Sequence, residues 1–291
     1  MFKGSIVALI TPFKNGKVDE KKIKELVEFH IKNKTSGIVP CGTTGESPTL
    51  SHEEHKRVIE MVVKTVRKRV HVIAGTRSNC TDEALELTRF AKNAGADAVL
   101  MSSPYYNKPT QKGLYLHFEK IAREVDIPII LYNIPGRCGV NMEPETIARL
   151  AKMKNIAGLK ESTGSLEQAT RVASLVGEDF DILSGDDNLT LPIMAIGGKG
   201  VISVVANIMP KEIAGMVESF LKGDVKKTRE IHYKLLPLMK ALFIETNPIP
   251  VKTAMKLMGM DTGELRLPMC EMEDSNLAKL KEVLKKYNLI K

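Results

Sequence analysis

The feature that most constrains this chain is an alternation, repeated over most of its length, between short apolar, β-branched runs and amphipathic stretches. The apolar runs have the length and composition of buried strands, and the stretches between them have a helical period. In residues 19–33, for example, Ile23, Leu26, Val27 and His30 fall on one helical face. Connections of this kind join parallel strands that lie beside one another. The predicted strands are residues 5–11, 37–41, 71–75, 98–102, 128–133, 156–160, 180–184 and 200–204.

About eight strand-helix units followed only by helices predict a (β/α)₈ TIM barrel with a C-terminal helical appendage. An open, doubly wound sheet is the alternative. Residues 1–223 are assigned to the catalytic barrel, and residues 224–291 to a helical region used in packing or assembly. No flexible linker or abrupt change in composition separates the two, so one domain with an appendage is the simpler prediction.

The charge and cysteine pattern exclude several classes of protein. The net charge of +8 comes from lysines interleaved with glutamates along predicted helices, and the chain has no Trp for a base-stacking surface, which argues against nucleic acid as a partner. The four cysteines are far apart, which is typical of free thiols in a reducing compartment. No apolar run reaches the ~18 residues of a membrane span, and the N-terminus leaves no room for a signal peptide. We therefore expect a soluble, cytoplasmic protein without a membrane partner.

The sixth predicted strand ends in a lysine, Lys160, after the apolar run 156–159. Burial disfavours an ammonium group relative to the neutral amine, and a neutral amine is a nucleophile. The alternative is a surface lysine whose amine extends to solvent from the end of the strand. In a TIM barrel the C-terminal ends of the strands carry the active site, and this favours the reactive lysine.

Other reactive side chains fall at the same ends of the predicted strands. Thr43 and Thr44 follow the second strand between two glycines, as in either a tight turn or a receptor for a small carboxylate. Tyr132 ends the fifth strand and is either a core aromatic or a proton shuttle for chemistry on the neighbouring lysine. Tyr106 follows the fourth strand. Arg137, unless it is a solvated loop residue, has the forked guanidinium that binds a carboxylate through two hydrogen bonds.

Several motifs that would indicate a cofactor are absent from the sequence. The histidines of His52-Glu-Glu-His55 are three residues apart rather than the four required in the zinc peptidase motif. The glycines of 197–200 lack the spacing of a phosphate-binding loop, and no G-x-G-x-x-G follows a strand. Cys41 and Cys138 have no histidine obviously placed to activate them. The sequence therefore predicts neither a metal nor a nucleotide cofactor.

Seven short motifs, in this order and spacing, resemble those of the dihydrodipicolinate synthases, members of the pyruvate-dependent class I aldolase family that includes N-acetylneuraminate lyase. The resemblance covers essentially all 291 residues. The motifs are Gly42-Thr-Thr-Gly-Glu46, Ser103-Pro-Tyr-Tyr-Asn107, Tyr132-Asn-Ile-Pro-Gly-Arg137, Gly158-Leu-Lys-Glu161, Ser184-Gly-Asp-Asp187, Gly200-Val-Ile-Ser203 and Asn247-Pro-Ile-Pro-Val-Lys252.

The resemblance implies that Lys160 forms a Schiff base with pyruvate, whose enamine then attacks L-aspartate 4-semialdehyde. The product would be 4-hydroxy-tetrahydrodipicolinate, on the route to diaminopimelate and lysine. Thr44, Tyr132 and Tyr106 would form a proton relay, with Tyr106 reaching across a dimer interface into the neighbouring site. No metal or organic cofactor is implied, and the expected assembly is a homotetramer built as a dimer of dimers.

The same resemblance assigns the substrate contacts. Thr43 and Thr44 would hold the pyruvyl carboxylate, Arg137 would bind the carboxylate of the semialdehyde, and the backbone of Ile202 would contact the site. An effector site for lysine would lie at the dimer interface, with Pro48 where the family commonly has alanine. Its positions here are Ser47, His52, His55, Asn79, Glu83 and Tyr105. Otherwise these six are ordinary polar residues of the second and third helices.

Two other functions remain open from the residues alone. One is a related lyase that cleaves a sugar acid to release pyruvate, although the sugar-acid enzymes do not usually carry an arginine at the position of Arg137. The other is a non-catalytic barrel that binds an anionic ligand or regulates a partner. A pure binding protein has no need of a buried amine, and this counts against the second.

Overall fold

The computed structural model of the protein describes residues 2–291. Eight parallel strands close into a barrel, which confirms the predicted TIM fold. The described residues contain ten strands, eight of them in the barrel: β1 (Gly4–Ala8), β2 (Phe13–Lys14), β3 (Lys17–Val18), β4 (Gly37–Val39), β5 (His71–Gly75), β6 (Ala98–Ser102), β7 (Ile129–Asn133), β8 (Ile156–Glu161), β9 (Asp181–Ser184) and β10 (Gly200–Ser203). In the barrel β1 pairs with β4, each strand from β4 to β10 pairs with the next, and β10 pairs with β1. Strands β2 and β3 form a separate hairpin, which the sequence did not predict.

Twelve α-helices surround and extend the barrel within the described residues. They are α1 (Glu20–Lys32), α2 (His52–Val66), α3 (Thr81–Ala94), α4 (Gln111–Glu124), α5 (Pro135–Cys138), α6 (Pro144–Leu150), α7 (Leu166–Leu175), α8 (Thr190–Ala195), α9 (Pro210–Leu221), α10 (Val225–Ala241), α11 (Ile249–Leu257) and α12 (Asp274–Lys286). None of these helices is long and apolar enough to cross a membrane.

Local capping interactions define two of the helix ends. Ser51 and Glu54 form a capping box at the start of α2, with both reciprocal hydrogen bonds present. Gly95 ends α3 in the left-handed conformation, with φ of +92°, which glycine adopts without steric cost. β1 is shorter than predicted: it ends at Ala8, which pairs with Val39, the last residue of β4.

The buried side chains form two layers, one inside the barrel and one between the strands and the helices. Because side chains alternate along a strand, every second residue faces the barrel interior. The inner layer consists of Phe2, Ile6, Ala8, Val39, Ile73, Ala98, Leu100, Ile130, Tyr132, Leu183 and Ile202. Tyr132 and Ile202 are therefore barrel-interior residues.

The C-terminal residues 224–291 are helical and contain no strand, as predicted. Helix α10 packs on α9, and α12 packs on α10 and α11. Lys252 of α11 and Arg266 reach back to Glu46 in the loop after β4. This region is thereby linked to the active-site end of the barrel, and its division from the barrel at residue 223 stays a prediction.

Candidate active site

Lys160 lies inside the barrel on β8, beside Tyr132 on β7. The two residues are direct partners in the β7–β8 ladder, and the Lys160 Nζ is 4.2 Å from the centroid of the Tyr132 ring. Lys160 is only 5% exposed. Within residues 2–291, no carboxylate oxygen lies within 4.0 Å of this amine. The predicted buried lysine is thus present, and it is not part of an ion pair.

Gly185, directly after β9, gives Lys160 the space that it occupies. A Cβ atom at this position would lie 1.8 Å from Ser162 Oγ and 2.9 Å from Lys160 Cε. The first distance is far below any real Cβ separation and the second is just below it, so a side chain here would displace the serine, the lysine or both. The glycine therefore has a steric function beside the amine.

Two acidic residues, Asp186 and Asp187, lie behind Lys160. Burial raises the pKa of both carboxyl groups, and the positive charge of Lys160 opposes this shift. Asp187 accepts hydrogen bonds from the Ser203 hydroxyl and from the backbone N–H groups of Val204 (2.9 Å) and Val205 (3.2 Å). Asp187 therefore holds the end of β10, the strand that carries Ile202.

The two threonines after β4 have different surroundings. Thr44 is buried, and its Oγ1 accepts a hydrogen bond from Asn247 Nδ2 at 3.0 Å. Thr43 is partly exposed, and its Oγ1 accepts a hydrogen bond from Arg77 Nη1 at 3.0 Å. Only the Thr43 side of the loop faces the open cavity described next.

A cavity of about 220 Å³ opens at the C-terminal end of the barrel. Its lining residues are Thr43, Glu46, Pro48, Thr49, Arg77, Ser102, Tyr105, Ile134, Arg137, Cys138, Asn247, Pro248, Pro268 and Met269. The predicted residues Thr43 and Arg137 lie at its wall, whereas Lys160, Tyr132 and Thr44 do not line it.

Arg137 and Arg77 place two guanidinium groups at this cavity. Arg137 lies on the short helix α5, and its Nη2 donates to the backbone oxygen of Asn247 at 3.0 Å. Burial lowers the pKa of Arg77, partly offset by Tyr132, Tyr105 and Cys138. Glu46, the one carboxylate in the wall, accepts from Lys252 and from the backbone N–H of Arg266. Its charge is already compensated, so the cavity suits an anionic ligand.

Sequence reasoning missed the roles of Arg77 and Asn247. Arg77 lies in a loop with no motif around it. Asn247 belongs to a motif of the family resemblance, but its contact with Thr44 spans 203 positions of sequence and follows only from the folded structure.

The thiols near the site are those of Cys41 and Cys138, and both are buried. Burial raises the pKa of each thiol, which keeps it protonated. A protonated thiol is a poor nucleophile.

Tyr106 and Ile202 lie apart from the cavity. Ile202 is fully buried on β10 inside the barrel. Tyr106 is 90% exposed, with a left-handed φ of +72°, and its ring projects from the surface of this chain. The structure therefore does not bring Tyr106 together with Lys160 and Tyr132 within one chain.

A second cavity, of about 140 Å³, lies beside the first. Five of the six predicted effector residues line it, namely Ser47, His52, His55, Glu83 and Tyr105. The sixth, Asn79, does not line it, and its backbone oxygen accepts from Asn107. Pro48, Arg77 and Tyr105 line both cavities, so the two share a wall.

Two histidines of the second cavity have defined partners. His52 Nε2 lies 2.8 Å from Glu83 Oε1. His55 Nε2 lies 2.7 Å from the backbone oxygen of Gly75, and burial lowers the pKa of His55 to about 4. His55 is therefore neutral at pH 7 and donates from Nε2 to that oxygen.

No group of three or more His, Cys, Asp and Glu side chains able to hold a metal ion occurs within residues 2–291. A lysine beside a tyrosine, next to a cavity with two guanidinium groups, is an arrangement for covalent chemistry on a small carboxylate-bearing carbonyl compound.

Comparison with known proteins finds one family over nearly the full length of the chain. A sequence model of the dihydrodipicolinate synthetase family matches residues 1–287. A relative from Geotalea uraniireducens (strain Rf4), named 4-hydroxy-tetrahydrodipicolinate synthase, is 59% identical over 290 residues. The alignment covers 100% of both sequences. The crystal structure of dihydrodipicolinate synthase from Aquifex aeolicus aligns with a TM-score of 0.98 and 56% identity, covering 99% of each chain.

A structure of the enzyme from Cyanidioschyzon merolae with lysine bound aligns with a TM-score of 0.96 at 41% identity, again over 99% of each chain. Because the family match spans nearly the whole sequence and the fold agrees over the same length, this chain belongs to the dihydrodipicolinate synthetase family.

Proposed function

We propose that the chain condenses pyruvate with L-aspartate 4-semialdehyde through an imine on Lys160, and thereby acts as a 4-hydroxy-tetrahydrodipicolinate synthase in lysine and diaminopimelate biosynthesis. The observation that carries this function is the buried amine of Lys160, free of any carboxylate and in contact with Tyr132. Relatives of 57–60% identity carry the name of this lyase.

The reaction needs a nucleophilic amine and no external electron acceptor. The amine adds to the keto carbon of pyruvate, and loss of water gives the imine. Removal of a proton from the methyl group gives an enamine, which forms a carbon–carbon bond with the aldehyde. The amino group of the semialdehyde then attacks the imine carbon, closes the ring and releases Lys160. The protonated imine takes the place of a metal or an organic cofactor as the electron sink.

Proton transfers at the imine require a group beside the amine, and Tyr132 has this position. We assign Tyr132, Thr44 and Tyr106 to a proton relay. Thr44 is linked to the site through Asn247, and Thr43 lies at the cavity wall. Comparing the Thr43→Val and Thr44→Val variants identifies which hydroxyl carries the proton, because only its loss lowers kcat without a matching loss of stability.

The carboxylates are assigned to the cationic wall and to the loop after β4. Thr43 and Thr44 bind the pyruvyl carboxylate, and Arg137 binds the carboxylate of the semialdehyde. The Ile202 backbone lies on the barrel side of the site. An Arg137→Gln variant should therefore raise KM for the semialdehyde more than KM for pyruvate.

We assign Tyr106 to the active site of a second copy of the chain, within a homotetramer of paired dimers. Its ring is almost fully exposed, and tyrosines exposed in this way are enriched at protein interfaces. Because the side chain lies outside its own cavity, a contribution to catalysis requires a partner chain.

A hybrid experiment tests this assignment. Lys160→Ala and Tyr106→Ala chains carrying different tags are co-expressed, and the mixed assembly is purified through both tags. If Tyr106 acts across the interface, each mixed dimer regains one intact site, whereas neither parent assembly has one. Hybrids no more active than the two parents would place Tyr106 in its own chain's site or outside catalysis.

The activity itself is tested with the two substrates supplied together and the cyclic product identified by mass. Turnover of pyruvate and aspartate semialdehyde supports the synthase. If the enzyme instead cleaved a sugar acid to pyruvate and left the semialdehyde unchanged, the related lyase would be the correct function.

A second proposal concerns regulation: the second cavity binds free lysine, which inhibits the enzyme. Glu83 supplies a carboxylate for an ammonium group, and the cavity shares a wall with the first cavity. Isothermal titration with lysine should show binding that Glu83→Gln abolishes. Binding that survives this substitution, or no binding to the parent enzyme, would remove the proposal.

A further inference from the structure

We propose that Arg77 is a second substrate-binding guanidinium, and that it holds the carboxylate of pyruvate together with Thr43 while Arg137 serves the other substrate. This inference rests on the proposed function, since it names a further residue for the same reaction. It starts from the position of Arg77 in the loop after β5, where the side chain crosses to the loop after β4.

The hydrogen bond between Arg77 and Thr43 fixes which of the two residues is the donor. Arg77 Nη1 donates to Thr43 Oγ1 at 3.0 Å, so this oxygen acts as an acceptor. The threonine proton is then free to point elsewhere, and a carboxylate in the cavity is a suitable acceptor for it. Arg77 and Thr43 thus present donors side by side.

The charge of Arg77 lacks a protein partner. Among the described residues, no carboxylate oxygen lies within 4.0 Å of its guanidinium, and the same holds for Arg137. Glu46, in the same wall, is bound by Lys252 at 2.6 Å. Arg77 is partly buried and Arg137 is exposed. A partly buried guanidinium without a counter-ion is stabilised when an anion arrives with the ligand. Two guanidinium groups at one cavity match the two carboxylates that the proposed reaction brings together.

The neighbours of each arginine indicate which substrate carboxylate it binds. Arg77 donates directly to Thr43 in the loop assigned to pyruvate. Arg137 reaches that loop only through Asn247, whose backbone oxygen accepts from Arg137 and whose side chain donates to Thr44. Arg77 is therefore the guanidinium in direct contact with the pyruvate loop. Removing its charge should weaken recognition of an anionic keto acid and leave recognition of a neutral analogue unchanged.

The test uses imine formation alone, without the second substrate. The enzyme is incubated with increasing pyruvate, or with its neutral analogue pyruvamide, and reduced with borohydride, and the adduct on Lys160 is measured by intact mass. The readout is the half-saturating concentration of pyruvamide divided by that of pyruvate. We expect Arg77→Gln to lower this ratio about tenfold, because one hydrogen-bonded charge contributes about 1.4 kcal/mol or more. Arg77→Lys should keep most of the ratio.

Two control variants show whether a change in this ratio is specific to the loss of Arg77. Arg149→Gln removes the same charge from an exposed arginine on α6, and it should leave the ratio unchanged. Arg137→Gln should also leave the ratio unchanged while it raises KM for the semialdehyde. A general distortion of the site by Arg77→Gln would raise both half-saturating concentrations equally.

Three results would overturn the assignment: an unchanged ratio in Arg77→Gln, an equal loss for both ligands, or an altered response to lysine with normal preference for pyruvate. The last would place Arg77 in the second cavity, which it also lines. If the parent enzyme itself formed no adduct, the proposed function would fail instead, so the two failures are distinguishable.

Discussion

Two lysines are buried in this protein, and their surroundings are opposite. Lys252 is fully buried, and its Nζ donates to Glu46 Oε1 at 2.6 Å and to the backbone oxygen of Thr11 at 2.9 Å. Lys160 is buried almost as deeply, but among the described residues its amine has no carboxylate oxygen within 4.0 Å and no backbone acceptor, and it lies over the Tyr132 ring.

The difference shows how one residue type serves structure in one place and chemistry in another. Removing the proton from Lys252 breaks an ion pair that joins α11 to the loop after β4, whereas removing it from Lys160 breaks none. Burial lowers the pKa of Lys252, and the charge of Glu46 opposes that shift. A buried lysine with a satisfied ammonium group is a structural element, and one without such partners is available as a nucleophile.

The same substitution at both lysines should separate the two roles most strongly. Lys160→Met should reduce synthase activity to the assay background, because no other amine lies beside Tyr132 in the part of the chain that the structure describes. Its melting temperature should stay within about 2 °C of the parent, since no ion pair is lost. Substantial residual activity, measured as product formed per folded enzyme, would show that another group carries the chemistry.

Lys252→Met should have the opposite effect. It leaves the buried carboxylate of Glu46 unpaired, and the free energy of unfolding should fall by about 3–5 kcal/mol in a denaturant titration. The folded fraction should still form the pyruvate adduct on Lys160. The matched control is the double variant Lys252→Met with Glu46→Gln, which should regain part of the lost stability. A double variant as unstable as the sum of the two single variants would contradict the paired role.

Tyr132→Phe tests the neighbour of the reactive lysine. The ring that packs beside Lys160 remains, but the hydroxyl is lost. We expect kcat to fall roughly 10²-fold or more, the usual contribution of a general acid-base group, with little change in melting temperature. Steady-state kinetics measures this split. A variant with normal kcat would exclude Tyr132 from the proton transfers.

Gly185→Ala should have a smaller effect on the same region. The added methyl group meets Ser162 Oγ and Lys160 Cε, so the serine, the lysine or both must move. We expect the rate of imine formation to drop about tenfold. The control is Gly215→Ala on α9, where a Cβ meets no atom within 4 Å and where alanine favours the helix. Equal effects of the two substitutions would argue against a steric role for Gly185.

The smallest expected effect concerns pH and lies outside both lysine sites. Burial lowers the pKa of His30 to about 3 and that of His55 to about 4, against about 6.5 in an unfolded chain. Between pH 6.5 and 4 the unfolded chain therefore binds protons that the folded chain does not, and stability should fall as the pH falls. Both lysine variants should retain this slope in thermal melts. A His30→Gln variant should reduce the slope, and the part that remains is expected from the other buried histidines, His55, His117 and His232. An unchanged slope in this variant would exclude His30 as a contributor.

Much of this architecture is readable from local sequence patterns. The period of the apolar residues identified the eight barrel strands, and the caps at Ser51 and Gly95 fixed two helix ends, because these signals act within a few residues. The short β2–β3 hairpin was missed, since two-residue strands carry almost no periodicity.

The site was predictable only in part. The lysine at the end of its strand, the adjacent tyrosine and the arginine after it could be placed by the barrel rule. The contact of Asn247 with Thr44 and the reach of Arg77 to Thr43 depend on side-chain directions across loops far apart in sequence. The pairing of Lys252 with Glu46 has the same origin: sequence gives no reason to distinguish this lysine from any surface lysine, and only the fold buries it against its partner.

The most direct test of the account is the mass of the protein after borohydride reduction with and without pyruvate, followed by peptide mapping. We expect one pyruvate-dependent adduct per chain, located on Lys160 and absent from Lys252. A folded enzyme that forms no adduct, or one whose adduct maps to another lysine, would contradict the distinction drawn here between the unpaired and the paired lysine.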